Sequence, residues 1–129
     1  MEHQKIHFIY PKLFIKRWQQ LNLSLLDKGR LERNITHFFN SSPENNNGRR
    51  FPGNIIRGTG GAYKLRFSSI ASNQGQSGSY RVIYFVVAGS QVIFLEMYQK
   101  NRQESLSDAK KQEIRKMISL IREVNESDE

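Results

Sequence analysis

The chain has no cysteine, which excludes a disulfide framework, a cysteine-based zinc site and a thiol nucleophile. Histidine is scarce as well: His3, His7 and His37 are the only three, and all lie near the amino terminus. Acidic side chains number 12 against 20 lysines and arginines, giving a net charge of +8 and a sequence pI near 10.0. A surplus of that size favours polyanionic partners over acidic-surfaced ones. No apolar run reaches the about 18 residues that a membrane span needs. The opening residues MEHQKIHFIYPKLF carry charge inside their apolar stretch and lack the h-region of a signal peptide, so a cytoplasmic location is expected. The Asn-x-Ser/Thr triplets at Asn22, Asn34, Asn40 and Asn125 then carry no meaning as glycosylation sites.

What is present is unevenly distributed. The 129 residues suit one compact domain, 1–129, with no room for a second core. Arg49, Arg50, Arg57, Lys64, Arg66, Arg81, Lys100 and Arg102 face a single acid, Glu96, in the segment 49–102, which is therefore +7. From Ser107 onward five cations meet six acids, and 125–129 reads as an acidic, disordered tail. A polyanion site is expected in the middle of the chain.

Hydrophobic patterning predicts a short strand over 5–10, closed by Pro11 at a first helical position. Leu13, Phe14, Arg17, Trp18, Leu21 and Leu25 then recur at helical spacing. A second such run passes through Leu31, Ile35, Phe38 and Phe39, with Gly29 expected near the junction of the two helices. The Ser/Asn/Gly/Pro-rich stretch 41–53 reads as a flexible loop with Arg49 and Arg50 in solvent. A short strand over 54–57, a turn through Gly58, Gly60 and Gly61, and a strand over 63–68 should follow. The runs 79–88 and 91–99, joined by Ala88, Gly89 and Ser90, predict an antiparallel hairpin. Its first strand should be central, since 82–87 is almost continuously apolar. Ser107 caps a last helix with Ile114, Met117, Ile118, Ile121 and Val124 on one face. The fold class is α+β: a small antiparallel sheet with amino-terminal helices and a carboxy-terminal helix packed on one face.

Period-two alternation decides which side chains can meet. Lys64 and Arg66 share one face of their strand, opposite Tyr63, Leu65 and Phe67, which should face the helices. Arg81 goes with Ile83 and Phe85, and Tyr98 with Glu96 and Phe94, Lys100 continuing that row. Lys64, Arg66, Arg81, Glu96, Tyr98 and Lys100 are thus expected to converge on one open face.

The sequence GTGGAYKLRF, then YRVIYF, then IFLEMYQKN followed by LSDA and a helix, resembles the RelE/HigB toxins of type II toxin-antitoxin pairs, most closely the HigB branch. The resemblance implies a RelE/ParE-like fold and a ribosome-dependent mRNA endoribonuclease, or mRNA interferase, that inhibits translation by cutting messages in the A site. It implies no metal and no cofactor. Its partners would be the ribosome, mRNA and a cognate antitoxin of HigA-like, DNA-binding type, with no membrane involved. By the same resemblance Arg66 and Arg81 bind the scissile phosphate and stabilise its developing charge, as guanidinium forks do well. Tyr98 stacks on a base or donates a proton, Lys100 handles a proton or a neighbouring phosphate, and Glu96 is the one carboxylate able to act as base. Lys64, Arg57, Arg102 and Asn101 would contact the RNA.

No histidine pair is available for proton transfer, and lysine and tyrosine titrate at roughly 10 when unperturbed, so the ribosome's positioning of RNA would supply much of the rate. Several readings stay open at this level. Glu96 can equally serve an ion pair with Arg81 or Lys100, Tyr98 can pack on the last helix, and Lys64 and Arg66 can be a solvated strand face. A ParE-like, gyrase-inhibiting toxin keeps the fold and changes the target. A non-catalytic RNA-binding module keeps the charge and drops the chemistry.

Overall fold

The computed structural model describes residues 5–41, 50–70, 80–100 and 105–127. Strand β1 (His7–Ile9) leads into helix α1 (Lys12–Gln20), with Pro11 as its N-cap residue. Helix α2 spans Leu25–Ser41. Strands β2 (Asn54–Ile55), β3 (Tyr63–Phe67), β4 (Tyr80–Val87) and β5 (Gln91–Gln99) follow, and α3 (Asp108–Ser127) ends the fold. The strands form one sheet in the order β1-β5-β4-β3-β2. The β2 to β5 pairs are antiparallel as expected, but β1 joins β5 in parallel, so the sheet is mixed.

The expected α+β architecture is present, with the helices divided between the two faces. Phe14 of α1 and Leu31, Ile35 and Phe39 of α2 pack with Leu65, Phe67, Val82, Tyr84 and Phe94. Ile114 and Ile118 of α3 pack with Ile83, Phe85, Ile93, Leu95 and Tyr98. The apolar run of β4 is therefore central and covered on both sides, as its composition required. The hairpin turn holds Ala88 at φ 55° and Gly89 at φ 74°, two successive left-handed residues that match the twist of the strands.

Two boundaries differ from the sequence reading, each for a local reason. The helix junction falls at Leu21 to Ser24, not at Gly29, which lies inside α2. Ser24 and Asp27 form a capping box: the Asp27 amide donates to Ser24 Oγ at 3.1 Å and the Ser24 amide to Asp27 Oδ2 at 3.1 Å. That cap starts α2 early enough to absorb a glycine, at a cost of about 1 kcal/mol. Helix α3 is capped by Ser107, whose Oγ accepts from the Lys110 amide at 3.1 Å, and it runs to Ser127, past Asn125 where the acidic tail was expected. Most of the 41–53 loop, Arg49 included, lies outside the described residues. Arg50 is not simply solvated, since its guanidinium sits 4.1 Å from the Phe39 ring centre and donates to the Phe39 carbonyl.

Candidate functional site

Register builds the site. Arg66 of β3 is the partner of Arg81 on β4, and Arg81 is the partner of Tyr98 on β5. The three side chains make one row across three neighbouring strands, on the α3 face of the sheet, with the Tyr98 end under that helix. Lys64, paired with Ile83, stands one step beyond Arg66 on the same face. Lys100 follows β5 directly at this end of the sheet and is exposed. Like charges directly opposite across a ladder are unfavourable, and the Arg81 guanidinium is held by a hydrogen bond from Nη1 to the Tyr80 carbonyl at 3.3 Å.

Burial grades the row. Arg66 is exposed, whereas Arg81 is 7% and Tyr98 8% exposed. The Tyr98 ring belongs to the cluster under α3, which removes it as a stacking platform for a base. Its hydroxyl is buried and has no hydrogen-bond partner among the described residues. Burial pushes the phenol above its usual range, and the Arg81 charge works against that shift without cancelling it. Tyr98 therefore stays protonated as a donor.

Glu96 lies elsewhere than its alternation predicts. A register shift beside Ile83 pairs Ile83 with Glu96 and Tyr84 with Phe94, leaving Leu95 as a bulge. Phe94 consequently faces α1 and α2 while Tyr98 faces α3, contrary to the shared face expected for the pair. Because β1 covers β5 only at residues 91–93, the Glu96 carboxylate turns over an edge that no described strand occupies. Its Oε1 accepts from Arg17 Nε of α1 at 2.9 Å and from the Met97 amide at 3.0 Å, and its Oε2 lies 3.5 Å from Lys110 Nζ of α3. Neither Arg81 nor Lys100 is its ion-pair partner among these contacts. The carboxylate ties the two outer layers together around the sheet edge, and both of its oxygens are engaged. Lys110 is held above its usual range by its hydrogen bond to Glu113, burial opposing this and Glu96 adding to it.

Arg57 is not brought to the row. It occupies the turn before β3, at the far end of that strand from Arg66, where Gly60 and Gly61 lie against Arg122 and Phe85. Asn101 and Arg102 fall outside the described residues. Arg17 and Lys110 were missed, although Arg17 left a signal: an arginine in a helix's inward stripe requires an acid to meet it.

A family model for the RelE toxin of the RelE/RelB toxin-antitoxin system matches residues 57–128. The chain belongs to the RelE toxin family. It is thus the toxin of a toxin-antitoxin pair, with a cognate antitoxin as partner, in a family whose members are typically endoribonucleases. A search of curated proteins found no match. The matched span of this RelE family toxin holds the whole Arg66, Arg81 and Tyr98 row, while Arg17 and β2 precede it. Among the described residues no helix is long and apolar enough to cross a membrane, and no three His, Cys, Asp or Glu side chains gather as a metal site.

Proposed function

We propose that this toxin is a ribosome-dependent endoribonuclease of the HigB branch, cutting mRNA in the A site and silenced by a HigA-like antitoxin. The observation that carries the reading is the row of Arg66, Arg81 and Tyr98 across β3, β4 and β5, flanked by Lys64 and Lys100. Guanidinium forks meet the non-bridging oxygens of a phosphate as the ribose 2′-hydroxyl attacks it, and they favour the more highly charged transition state. The Tyr98 hydroxyl, without a hydrogen-bond partner among the described residues, donates to the same phosphate or to the departing 5′-oxygen. The bond from the 2′-oxygen to phosphorus forms as the bond to the 5′-oxygen breaks, giving a 2′,3′-cyclic phosphate; the 2′-hydroxyl proton passes to water and the 5′-oxygen leaves with a proton from Tyr98, a scheme that calls on no metal. Lys64 and Lys100 hold flanking phosphates. Glu96, bound from both helical layers, fixes the β5 bulge that brings Tyr98 opposite Arg81, instead of serving as base.

The test is brief induction followed by mapping of transcript 5′ ends. In-frame cuts inside translated codons are expected, and Arg81→Ala or Lys100→Ala should relieve growth arrest. Whole transcripts with rising DNA damage would instead identify a gyrase poison. Whole transcripts with salt-sensitive RNA binding alone would identify a non-catalytic module.

A further inference from the structure

Beside the row lies a cleft of about 350 Å³ lined by Gly53, Asn54, Lys64, Leu65, Arg66 and Arg81. Three of these residues are cationic and none is acidic, so the cleft presents concentrated positive charge. Its volume is near the lower end of small-ligand sites, about 300–1,000 Å³, which suits one nucleotide better than a longer segment.

The remaining wall comes from β2, which precedes the family match. Asn54 pairs with Lys64, and cross-strand partners share a face, so its carboxamide stands beside the cationic group. Its placement is built in. The buried Tyr84 hydroxyl donates to the Pro52 carbonyl, fixing the chain immediately before the cleft. Gly53 then takes φ +97°, and a Cβ there would lie 2.4 Å from the Lys64 carbonyl oxygen, so only glycine allows the two strands this approach. A carboxamide offers one donor group and one acceptor side by side, the pattern that recognises a base edge.

We propose that this cleft is a nucleotide subsite in which Lys64, Arg66 and Arg81 hold a phosphate and the Asn54 carboxamide reads the edge of the attached base. The assignment rests on the RNA-cleaving reading and adds a specificity determinant to it. Asn54 belongs to an exposed two-residue strand, so it can be changed without opening the core.

The full chain should be titrated with inorganic phosphate and separately with each of the four ribonucleoside 3′-monophosphates, with NMR following the Asn54 amide and the Arg66 and Arg81 side chains. Phosphate should shift the arginines equally in wild type and Asn54→Ala. The nucleotides should also shift the Asn54 amide to a degree that depends on the base. Asn54→Ala should bind the preferred nucleotide at least roughly fivefold more weakly, the lower end of what one base-edge pair contributes. Equal binding of all four nucleotides, or a preference that survives in Asn54→Ala, would overturn the subsite. Transcript mapping separates this from the parent reading. If messages stay whole while Asn54 responds to base identity, the cleavage reading fails and the subsite stands. If both proteins cut messages with one codon preference and nucleotide binding ignores the base, the subsite fails and the cleavage reading stands.

Discussion

Arg81 and Tyr98 face one another across β4 and β5, both more than nine-tenths buried, and among the described residues the tyrosine hydroxyl has no hydrogen-bond partner. A buried hydroxyl without a partner costs about 1–3 kcal/mol. Under the proposed function, the Arg81 cation and this hydroxyl would both donate to the phosphate of the RNA. The cost to the fold is thus placed where the proposed chemistry uses it.

Tyr98→Phe separates the two roles of this residue. The ring stays in the α3 cluster, so the urea midpoint should hold or rise by up to about 1 kcal/mol in equivalent stability. Cleavage of mRNA on ribosomes should fall by roughly 10²–10⁴ if the hydroxyl donates a proton. An unchanged cleavage rate would remove it from the mechanism.

The carboxylate of Glu96 should be worth more to stability than either cation around it. Arg17→Met is expected to cost about 1–2 kcal/mol, because it leaves a buried acid with one fewer partner, reduced by the partial exposure of Arg17. Lys110→Met should cost under about 1 kcal/mol, since its contact with Glu96 is longer and Glu113 shares it. Urea titrations of the single and double variants would show whether the two pairs couple.

Asp27 should make stability depend on acid pH. Burial alone would raise its carboxyl, but hydrogen bonds from the Ile70 and Ser24 amides and the Ser24 hydroxyl, with Arg30 nearby, outweigh burial and hold it below its ordinary value. The folded state therefore binds this proton less readily than the unfolded chain. Its contribution is complete above the unfolded value of about 3.9 and fades as pH falls through the lower folded value. Asp27→Asn should cost about 1–2 kcal/mol at neutral pH through the lost cap. The gap between the two proteins should narrow in melts below about pH 3.9.

Gly53→Ala tests the approach of β2 to β3. The added methyl meets the Lys64 carbonyl and must adopt a left-handed φ, so stability should drop by about 1–3 kcal/mol. Retained stability on thermal denaturation would mean that the strands separate easily, and the cleft with them.

Much of this molecule is legible along the chain because its signals are local. The hairpin at Ala88 and Gly89, the capped start of α3 at Ser107 and the central, apolar β4 each follow from a few adjacent residues. The capping box of Ser24 and Asp27 was equally local, but the periodic run through Leu25 obscured it. The Leu95 bulge was not legible, because alternation assumes an uninterrupted ladder, and one extra residue moves Phe94 and Tyr98 to opposite faces.

The sequence by itself determined the surplus of positive charge, the α+β class and the alternation that sets Lys64 and Arg66 opposite Leu65 and Phe67. These depend only on composition and on neighbours one to four residues apart. Tertiary structure decided which cations meet. It placed Arg66, Arg81 and Tyr98 in one row, sent Arg57 to the far end of β3, and enclosed Glu96 between Arg17 and Lys110. Strand register and the path of the chain over a sheet edge are set by contacts between residues far apart in the chain, such as His7 with Gln91 and Arg17 with Glu96, and no local pattern encodes them.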